Sequence, residues 1–296
     1  MGRAINPQGS GRQSAPSMTV QMKKMKNQAL KSGQIPHDMG LLPDTFVMPR
    51  GTQLPSWFTD FSNRWLLEKK RLRTRALEFF SAFVYRWFLV KPRPRLQLGR
   101  IPGIAQELHR EMYTAFAQGG LAAMESKICE GLLGSLKRRV AQRESNTRLK
   151  WTVHKYLSPP RRMSYKAAAF PAQAGAGEQG TNGLVQAVVR IHSVQSLRHI
   201  KTVSTRLRDG RVESREVVVD SSGREVGVLR EVEAREDEGV VPATAKETVE
   251  YFVVQKSLRN GKEGQWMVWG TTEAMTVERA RREAESNGRK VLKAVE

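Results

Sequence analysis

The sequence predicts an α+β fold in which N-terminal helices pack against an antiparallel sheet. Through residues 56–145, apolar side chains recur at steps of three, four and seven, which is the spacing of one helix face. From Val185 onward, apolar and polar residues alternate, as they do along a strand. Because nearly all the helical segments precede the strands, the pattern favours an α+β arrangement with the helices packed on one face of the sheet.

Residues 1–55 are predicted to form a basic tail that is extended or disordered. Six prolines interrupt it, glycine and serine fill much of the rest, and no acidic residue precedes Asp38. This composition is typical of an organelle transit region or its mature remnant, and equally of a ribosomal basic tail. Residues 20–31 have the pattern of a short amphipathic helix. We expect it to order only on a partner, because so short a helix is marginal in water.

Residues 56–296 are predicted to form one domain that opens with a long helix. Ser56 is the expected N-cap, and the helix is expected to end near Val90, because the prolines that follow cannot continue it. We expect its apolar face to pack into the core; the alternative is that residues 79–90 lie on a membrane. The apolar face comprises Phe61, Trp65, Leu72, Ala76, Phe80, Phe83 and Trp87.

Two shorter helices are predicted to complete the helical region. The first spans Gly103 to Gln118, and the second spans Leu121 to about Gln142. The second contains Cys129, the single cysteine of the chain, so no disulfide framework is possible. We expect Cys129 to be a small buried side chain, because no His–Asp pattern marks it as a nucleophile.

The sheet is predicted to occupy residues 150–270. Val185 to His192 alternate as a strand, and Leu197 to Thr205 are expected either to pair with it or to continue it across a bulge. Two apolar runs, Val249–Lys256 and Gln265–Gly270, are separated by a loop that contains Asn-Gly, which predicts a hairpin.

Two further segments complete the predicted domain. Residues 208–243 form a charged, glycine-containing insertion, which is predicted to be an extended β-ribbon or a loose segment. Residues 276–286 are predicted to form a short C-terminal helix that begins at Thr276.

Positive charge is concentrated in the first half of the chain. The formal net charge is +21; residues 1–170 hold 30 Lys and Arg against 10 Asp and Glu, whereas residues 171–296 hold 20 against 19. So large an excess usually has an anionic partner, and RNA, DNA and anionic membrane are the candidates. The alternative is a basic protein that is simply soluble, but the asymmetry between the halves favours a polyanion.

Basic clusters provide the candidate RNA-binding residues. Contacts to phosphates need only cationic donors, and they give salt-dependent affinity without base specificity. The same clusters would also suit anionic lipid. The candidates are Lys23, Lys24, Lys26, Lys69, Lys70, Arg71, Arg73, Arg75, Arg93, Arg95, Lys137, Arg138, Arg139, Arg161 and Arg162.

No motif in the sequence predicts an enzyme, a cofactor or a metal centre. Gly175, Gly177 and Gly180 spell GxGxxG, but Pro171 interrupts the residues before them and no helix is predicted after them, so a flexible loop is favoured. The five histidines lack metal-ligand spacing, and no P-loop, HExxH or GxSxG motif occurs. We therefore expect no catalytic residues, no metal and no cofactor. A small isomerase-like enzyme is a remote alternative that rests on fold analogy alone.

Several segments of the second half resemble a known family. Trp151–Arg161 reads WTVHKYLSPPR, Val185–Leu197 reads VQAVVRIHSVQSL, and the predicted hairpin reads VEYFVVQKSL and then QWMVWGTT. In this order they resemble the Tim-forty-four-like domain family, which includes the mitochondrial large-subunit ribosomal protein numbered forty-five and its fungal Mba-type relatives. The resemblance covers roughly residues 56–280.

The resemblance implies a fold, a location and a set of partners. The fold is a helical region on a twisted antiparallel sheet of the NTF-like cone type, without catalytic residues. The implied role is structural, in the mitochondrial large ribosomal subunit near the polypeptide exit, with ribosomal RNA, neighbouring large-subunit proteins, and the inner membrane or its insertase as partners. The expected location is the mitochondrial matrix, peripheral to the inner membrane. An inner-membrane import-motor subunit with the same domain is the alternative.

Overall fold

A computed structural model describes residues 40–42, 45–89, 93–144, 146–170, 182–206, 212–219, 224–229, 241–242, 244–259 and 262–285. Lys23, Lys24 and Lys26 of the predicted tail lie outside these residues, and so does the GxGxxG segment. Within the described chain, helices pack on an antiparallel sheet, so the predicted α+β class is confirmed.

In the described chain, three α-helices precede the sheet and one follows it. A π-helical turn, Tyr85–Leu89, continues the first helix, and short 3₁₀ turns, Gly51–Gln53 and Leu121–Lys127, precede the first and third. The α-helices are α1 (Phe61–Val84), α2 (Ile101–Gln118), α3 (Glu130–Ala141) and α4 (277–285).

The sheet is organised around its second strand. The strands are β1 (Thr147–Phe170), β2 (Asn182–Arg206), β3 (Val212–Val219), β4 (Glu225–Val228), β5 (Lys246–Arg259) and β6 (Lys262–Thr272). One edge of β2 pairs with β1, from Asn182 to Lys201. Its other edge pairs with β5 from Gly183 to Gln195 and with β3 from His199 to Arg206. β4 lies beside β3 and β6 beside β5, and these pairs are all antiparallel.

The strand predictions are confirmed, with longer strands than expected. Leu197 to Thr205 continue the preceding strand as part of β2 and do not fold back to pair with it. The predicted hairpin is β5–β6. Within the insertion, β3 and β4 form the expected ribbon. The C-terminal helix is also confirmed, and the hydroxyl of Thr276 accepts a hydrogen bond from the Arg279 N–H at 3.3 Å, as an N-cap does.

β1 is irregular in its middle. The pairing with β2 shifts register on both sides of Ser158, and the Pro159-Pro160 pair lies between Ser158 and Arg161. Proline has no N–H to donate to a sheet, so it is tolerated at bulges and on edge strands. The irregularity places Arg161 and Arg162 directly after a bulge.

Both faces of β2 are buried, and different elements cover them. Val185, Ala187, Val189 and Ile191 face the main core, which α2 and α3 cover, so the predicted alternation is confirmed. Val188 faces the opposite side, where Val253 and Val47 pack with it. The segment before α1 therefore covers the second face.

The predicted start of α1 is wrong. The Ser56 hydroxyl accepts from the Phe58 N–H at 3.2 Å, and the Ser56 carbonyl accepts from the Asp60 N–H at 3.1 Å. These bonds close an isolated turn, so Ser56 caps that turn and the helix begins at Phe61 after Asp60. The next helix begins at Ile101, two residues before the predicted Gly103, with a proline in its first turn.

The helix predicted over Leu121 to Gln142 is interrupted. Ile128 leaves the 3₁₀ turn to form a parallel bridge with Val268 of β6, and the Cys129 N–H donates to the Val268 carbonyl at 2.9 Å. Cys129 is extended, at φ −67° and ψ 146°, and α3 begins after it. A hydrogen bond to a distant strand therefore overrides the local helical pattern, while Cys129 is buried as expected.

Candidate functional site

The face of α1 that was predicted to pack into the core is exposed. Phe79 has 77% of its surface exposed, Leu72 has 73%, and Phe80 has 64%. We call this surface the aromatic face. It comprises Phe61, Trp65, Leu72, Ala76, Phe79, Phe80, Phe83 and Trp87. The predicted core packing is therefore wrong, and a large apolar patch of this kind marks an interaction site.

The opposite side of α1 holds the helix to the domain, largely through polar contacts. Lys70 forms an ion pair with Glu283 of α4, and Arg281 Nε donates to Asn63 Oδ1 at 2.9 Å. The Ser164 hydroxyl of β1 donates to the carboxylate of Glu78. Hydrogen bonds and ion pairs thus occupy the inward side, which explains why the aromatic face can point outward.

Two apolar anchors strengthen this attachment. Leu67 is fully buried in a small cluster that includes Phe46 and Ala280. Tyr85, in the π-helical turn, is buried against Gly183 of β2, where an added Cβ would lie 2.7 Å from the tyrosine ring. Glycine at 183 is therefore required by the close approach of Tyr85.

Cationic side chains border the aromatic face. Lys69 and Arg73 are exposed on α1 itself. The Arg93 guanidinium lies 4.3 Å from the centre of the Trp87 ring, and Arg86 lies 6.0 Å from it, both within the range of cation–π attraction. An exposed aromatic surface with a cationic border suits a partner that is both apolar and anionic.

A second basic surface is a cleft between α1, β1 and the segment before α1. We call it the arginine cleft. Its volume is about 340 Å³, and its lining includes Phe46 and Met48 on the apolar side. The arginines that line it are Arg50, Arg64, Arg71, Arg75, Arg161 and Arg162. Among the described lining residues, Glu78 is the one carboxylate, and burial raises its pKa despite the hydrogen bond from Ser164.

The structure thus divides the predicted RNA-binding residues among several surfaces. It brings Arg71 and Arg75 together with Arg161 and Arg162 in the arginine cleft. Three other cations border the aromatic face: Lys69, Arg73 and Arg93. Lys70 instead forms an ion pair with Glu283. Arg50 and Arg64 belong to the cleft but were missed, because isolated arginines give no cluster signal in the sequence.

The other predicted cations lie apart from both surfaces. Lys137 pairs with Glu125, and Arg138 Nε lies 3.4 Å from the Gly134 carbonyl near the end of α3. Arg138 and Arg139 lie in the last turn of α3, where positive charge complements the negative end of the helix dipole. Arg95 is exposed, and its backbone N–H donates to Glu263 at 2.5 Å.

A buried polar network, not predicted from the sequence, joins α2 to the sheet. Glu250 accepts from Tyr113 at 2.5 Å and from Gln195 at 3.1 Å, and His109 Nε2 lies 2.7 Å from it. Burial raises the pKa of Glu250, but these hydrogen bonds outweigh burial and hold the pKa below its ordinary value. The Trp151 ring contacts the rings of both His109 and Tyr113, and it is stacked on the Tyr113 ring.

This network has the residue types of an acid–base site, but its geometry is that of a structural connection. The His109 side chain is completely buried and packs edge-on against Phe252. Its partners hold α2 against β2 and β5. Among the described residues, no group of three or more His, Cys, Asp or Glu side chains is arranged to hold a metal ion.

In the part of the chain that the structure describes, no helix is long and apolar enough to cross a membrane. A comparison with protein-family models finds no match, and a comparison with curated proteins finds none either.

Proposed function

We propose that this chain is a non-catalytic docking protein that attaches a ribonucleoprotein to an anionic membrane surface. Specifically, we propose a structural component of the mitochondrial large ribosomal subunit near the polypeptide exit, which binds ribosomal RNA and neighbouring proteins and contacts the inner membrane from the matrix side. The fold family proposed with this role is the Tim-forty-four-like domain. The observation that carries the proposal is the outward-facing aromatic side of α1 with its cationic border.

The aromatic face suits a membrane surface. A helix of 24 residues is about 36 Å long, so it offers a long apolar stripe that can lie in the plane of the interface without crossing it. Burying one Phe side chain is worth about 1.5–3 kcal/mol. A cation near an anionic surface adds about 1 kcal/mol, so Lys69, Arg73 and Arg86 would reinforce the apolar contact.

The charge of the first half suits RNA. Residues 1–170 carry 30 basic residues against 10 acidic ones, and several of the cations face solvent on surfaces separate from the aromatic face. Structured RNA is read mostly through its shape and backbone, which cationic side chains can contact without base-specific groups. A protein with both surfaces can hold RNA and membrane at once.

The proposal is tested by sedimenting detergent-solubilised mitochondria at moderate and at high salt. Co-migration of the protein with the large ribosomal subunit at moderate salt is the expected result. Migration with protein-import components, and none with ribosomes, would sink the ribosomal proposal and favour the import-motor alternative.

A further inference from the structure

We propose that the arginine cleft is a binding site for the phosphate backbone of RNA. This inference rests on the proposed RNA-binding function and names the part of the surface that performs it. The cleft volume, about 340 Å³, is at the lower end of the range for ligand pockets. It can accept a short stretch of backbone, and its arginines come from three separate parts of the chain.

Among the described residues, the arginines of the arginine cleft outnumber the carboxylates that neutralise them. Glu68 pairs with Arg64 at 2.9 Å and with Arg71 at 3.2 Å. Within the described residues, Arg50, Arg75 and Arg161 have no ion-pair partner, and all three are exposed at the cleft. Their guanidinium groups are therefore available to an anionic ligand.

Two other arginines are already held in position. Arg162 Nη1 donates to the Leu98 carbonyl at 3.2 Å, and its guanidinium lies 5.7 Å from the centre of the Tyr165 ring. The side chain of Arg64 is 14% exposed, and its guanidinium lies 5.1 Å from the centre of the Trp57 ring. Because these side chains are ordered before binding, a ligand that contacts them loses less conformational entropy.

The number of arginines favours RNA over a phospholipid headgroup. An RNA strand carries one negatively charged phosphate on each nucleotide, so consecutive phosphates can each meet an arginine fork. A headgroup with a single phosphate would satisfy one or two of the arginines and leave the others to repel one another. Arg71 lines the arginine cleft, and its neighbour Leu72 belongs to the aromatic face; the two side chains project about 100° apart on the helix. The two surfaces are therefore separate, and we expect lipid on the aromatic face.

The experiment measures RNA binding by the full-length protein and two matched triple variants. The cleft variant is Arg50→Gln/Arg75→Gln/Arg161→Gln, and the control is Arg100→Gln/Arg110→Gln/Lys246→Gln, which removes three charges from exposed positions outside the cleft. Affinity for a fluorescent RNA hairpin is measured by anisotropy over a range of salt concentrations. Binding to phosphatidylserine-containing vesicles is measured in parallel, and circular dichroism confirms that each variant is folded.

The expected result is a loss confined to the cleft variant and to RNA. Each lost phosphate contact reduces the slope of log affinity against log salt by about 1, so the cleft variant should lose about 3 and bind RNA at least about tenfold more weakly. The control should change the slope by less than about 1.

Two results would overturn the proposal. Equal RNA losses in both variants would mean that general charge, and not the arginine cleft, provides the affinity. Loss of vesicle binding with unchanged RNA binding would assign the cleft to a lipid headgroup. Both outcomes are independent of ribosome sedimentation, so the cleft can fail while the proposed function stands.

Discussion

Two partly buried carboxylates, Glu250 and Glu78, show how hydrogen bonds decide the cost of a buried charge. Burial raises the pKa of both groups. Three side chains bond to Glu250, and together they reverse the effect of burial and lower its pKa. The bond from Ser164 and the nearby cations do not reverse it for Glu78, whose pKa stays raised. The ionised form of Glu250 therefore stabilises the fold, whereas that of Glu78 costs stability.

Replacing Glu250 by Gln should destabilise the protein in a pH-dependent way. We expect the free energy of unfolding to fall by about 1–3 kcal/mol at neutral pH, because buried donors lose a charged acceptor. The pKa of Glu250 is lowered in the folded state, so its contribution is present above its ordinary value of 4.5 and is lost as the pH falls through the folded value. The free energies of unfolding of wild type and Glu250→Gln, measured with urea, should therefore become more similar as the pH falls below 4.5.

The exposed Glu247, on the same strand, provides the control for this measurement. Its hydrogen bond with His192 lies near the surface, and 64% of the Glu247 side chain is exposed. Glu247→Gln should change stability by less than about 1 kcal/mol. An equal loss in both variants would contradict the structural role assigned to the Glu250 network.

Replacing Glu78 by Gln should have the opposite pH dependence. The pKa of Glu78 is raised in the folded state, so ionisation costs stability as the pH rises from 4.5 through the folded value. The amide oxygen of Gln can still accept from Ser164. We expect the stability of Glu78→Gln relative to wild type to be greater at pH 7 than at about pH 4, as measured by urea unfolding.

The same variant also tests the arginine cleft. Glu78→Gln removes the one carboxylate found among the lining residues that the structure describes, so affinity for an RNA hairpin should rise several-fold. A weaker affinity in a folded variant would be inconsistent with RNA in the cleft.

At the scale of elements, α1 and α3 show what the sequence could and could not predict. The apolar residues of α1 recur with a clear helical period, but the period does not say which face of the helix is buried. In α1 it is the polar side that contacts β1 and α4. The break before α3 depends on the Ile128–Val268 bridge, which joins residues far apart in sequence. Local patterns therefore predicted the elements well and their long-range contacts poorly.

The candidate site was predictable in part for the same reason. Arg71 and Arg75 were identified as a basic cluster, and so were Arg161 and Arg162, but no pattern in the sequence joins residues almost one hundred positions apart. Only the packing of α1 on β1 brings the two pairs into one cleft. The arginine cleft itself is therefore a product of tertiary structure.

Introducing charge into the aromatic face should abolish membrane binding without unfolding the protein. The proposed variant is Phe79→Glu/Phe83→Glu, at positions that are 77% and 46% exposed. Losing two apolar contacts of about 1.5–3 kcal/mol each and adding two negative charges should weaken binding to anionic vesicles on the order of 100-fold or more. Vesicle flotation measures the binding, and thermal unfolding should be nearly unchanged.

A matched pair of substitutions elsewhere controls for the loss of exposed apolar area. Leu197 and Val249 are 46% and 42% exposed on the sheet. Leu197→Glu/Val249→Glu should leave flotation unaffected. If both double variants float like the wild type, the aromatic face does not bind membrane.

At the scale of the whole molecule, the two proposed partners occupy different sides of α1. The aromatic face points away from the domain, while the arginine cleft lies where α1 meets β1. Lys70, which the sequence places among the candidate cations, instead links α1 to α4 through Glu283. A variant that tests the basic surface should therefore keep Lys70, so that a loss of partner binding is not mistaken for a loss of folding.

Reversing the charges of Lys69 and Arg73 should weaken binding to an anionic membrane surface while the domain stays intact. Both side chains are exposed, and within the described chain neither forms an ion pair. Because a cation near an anionic surface contributes about 1 kcal/mol, we expect Lys69→Glu/Arg73→Glu to bind anionic vesicles at least about tenfold more weakly than wild type. Vesicle flotation at several salt concentrations measures the loss, and unchanged flotation would show that these two cations do not contact the membrane.

The polar attachment of α1 also determines how the molecule would respond to load. If membrane and RNA pull in opposite directions, the force passes through the contacts that hold α1. These are the two apolar anchors and the polar contacts of Lys70, Asn63 and Glu78. Directional contacts such as these lose their strength when their partners separate slightly. Fewer described contacts hold the helix than join β2 to its neighbours along both edges, so the helix should yield before the sheet does.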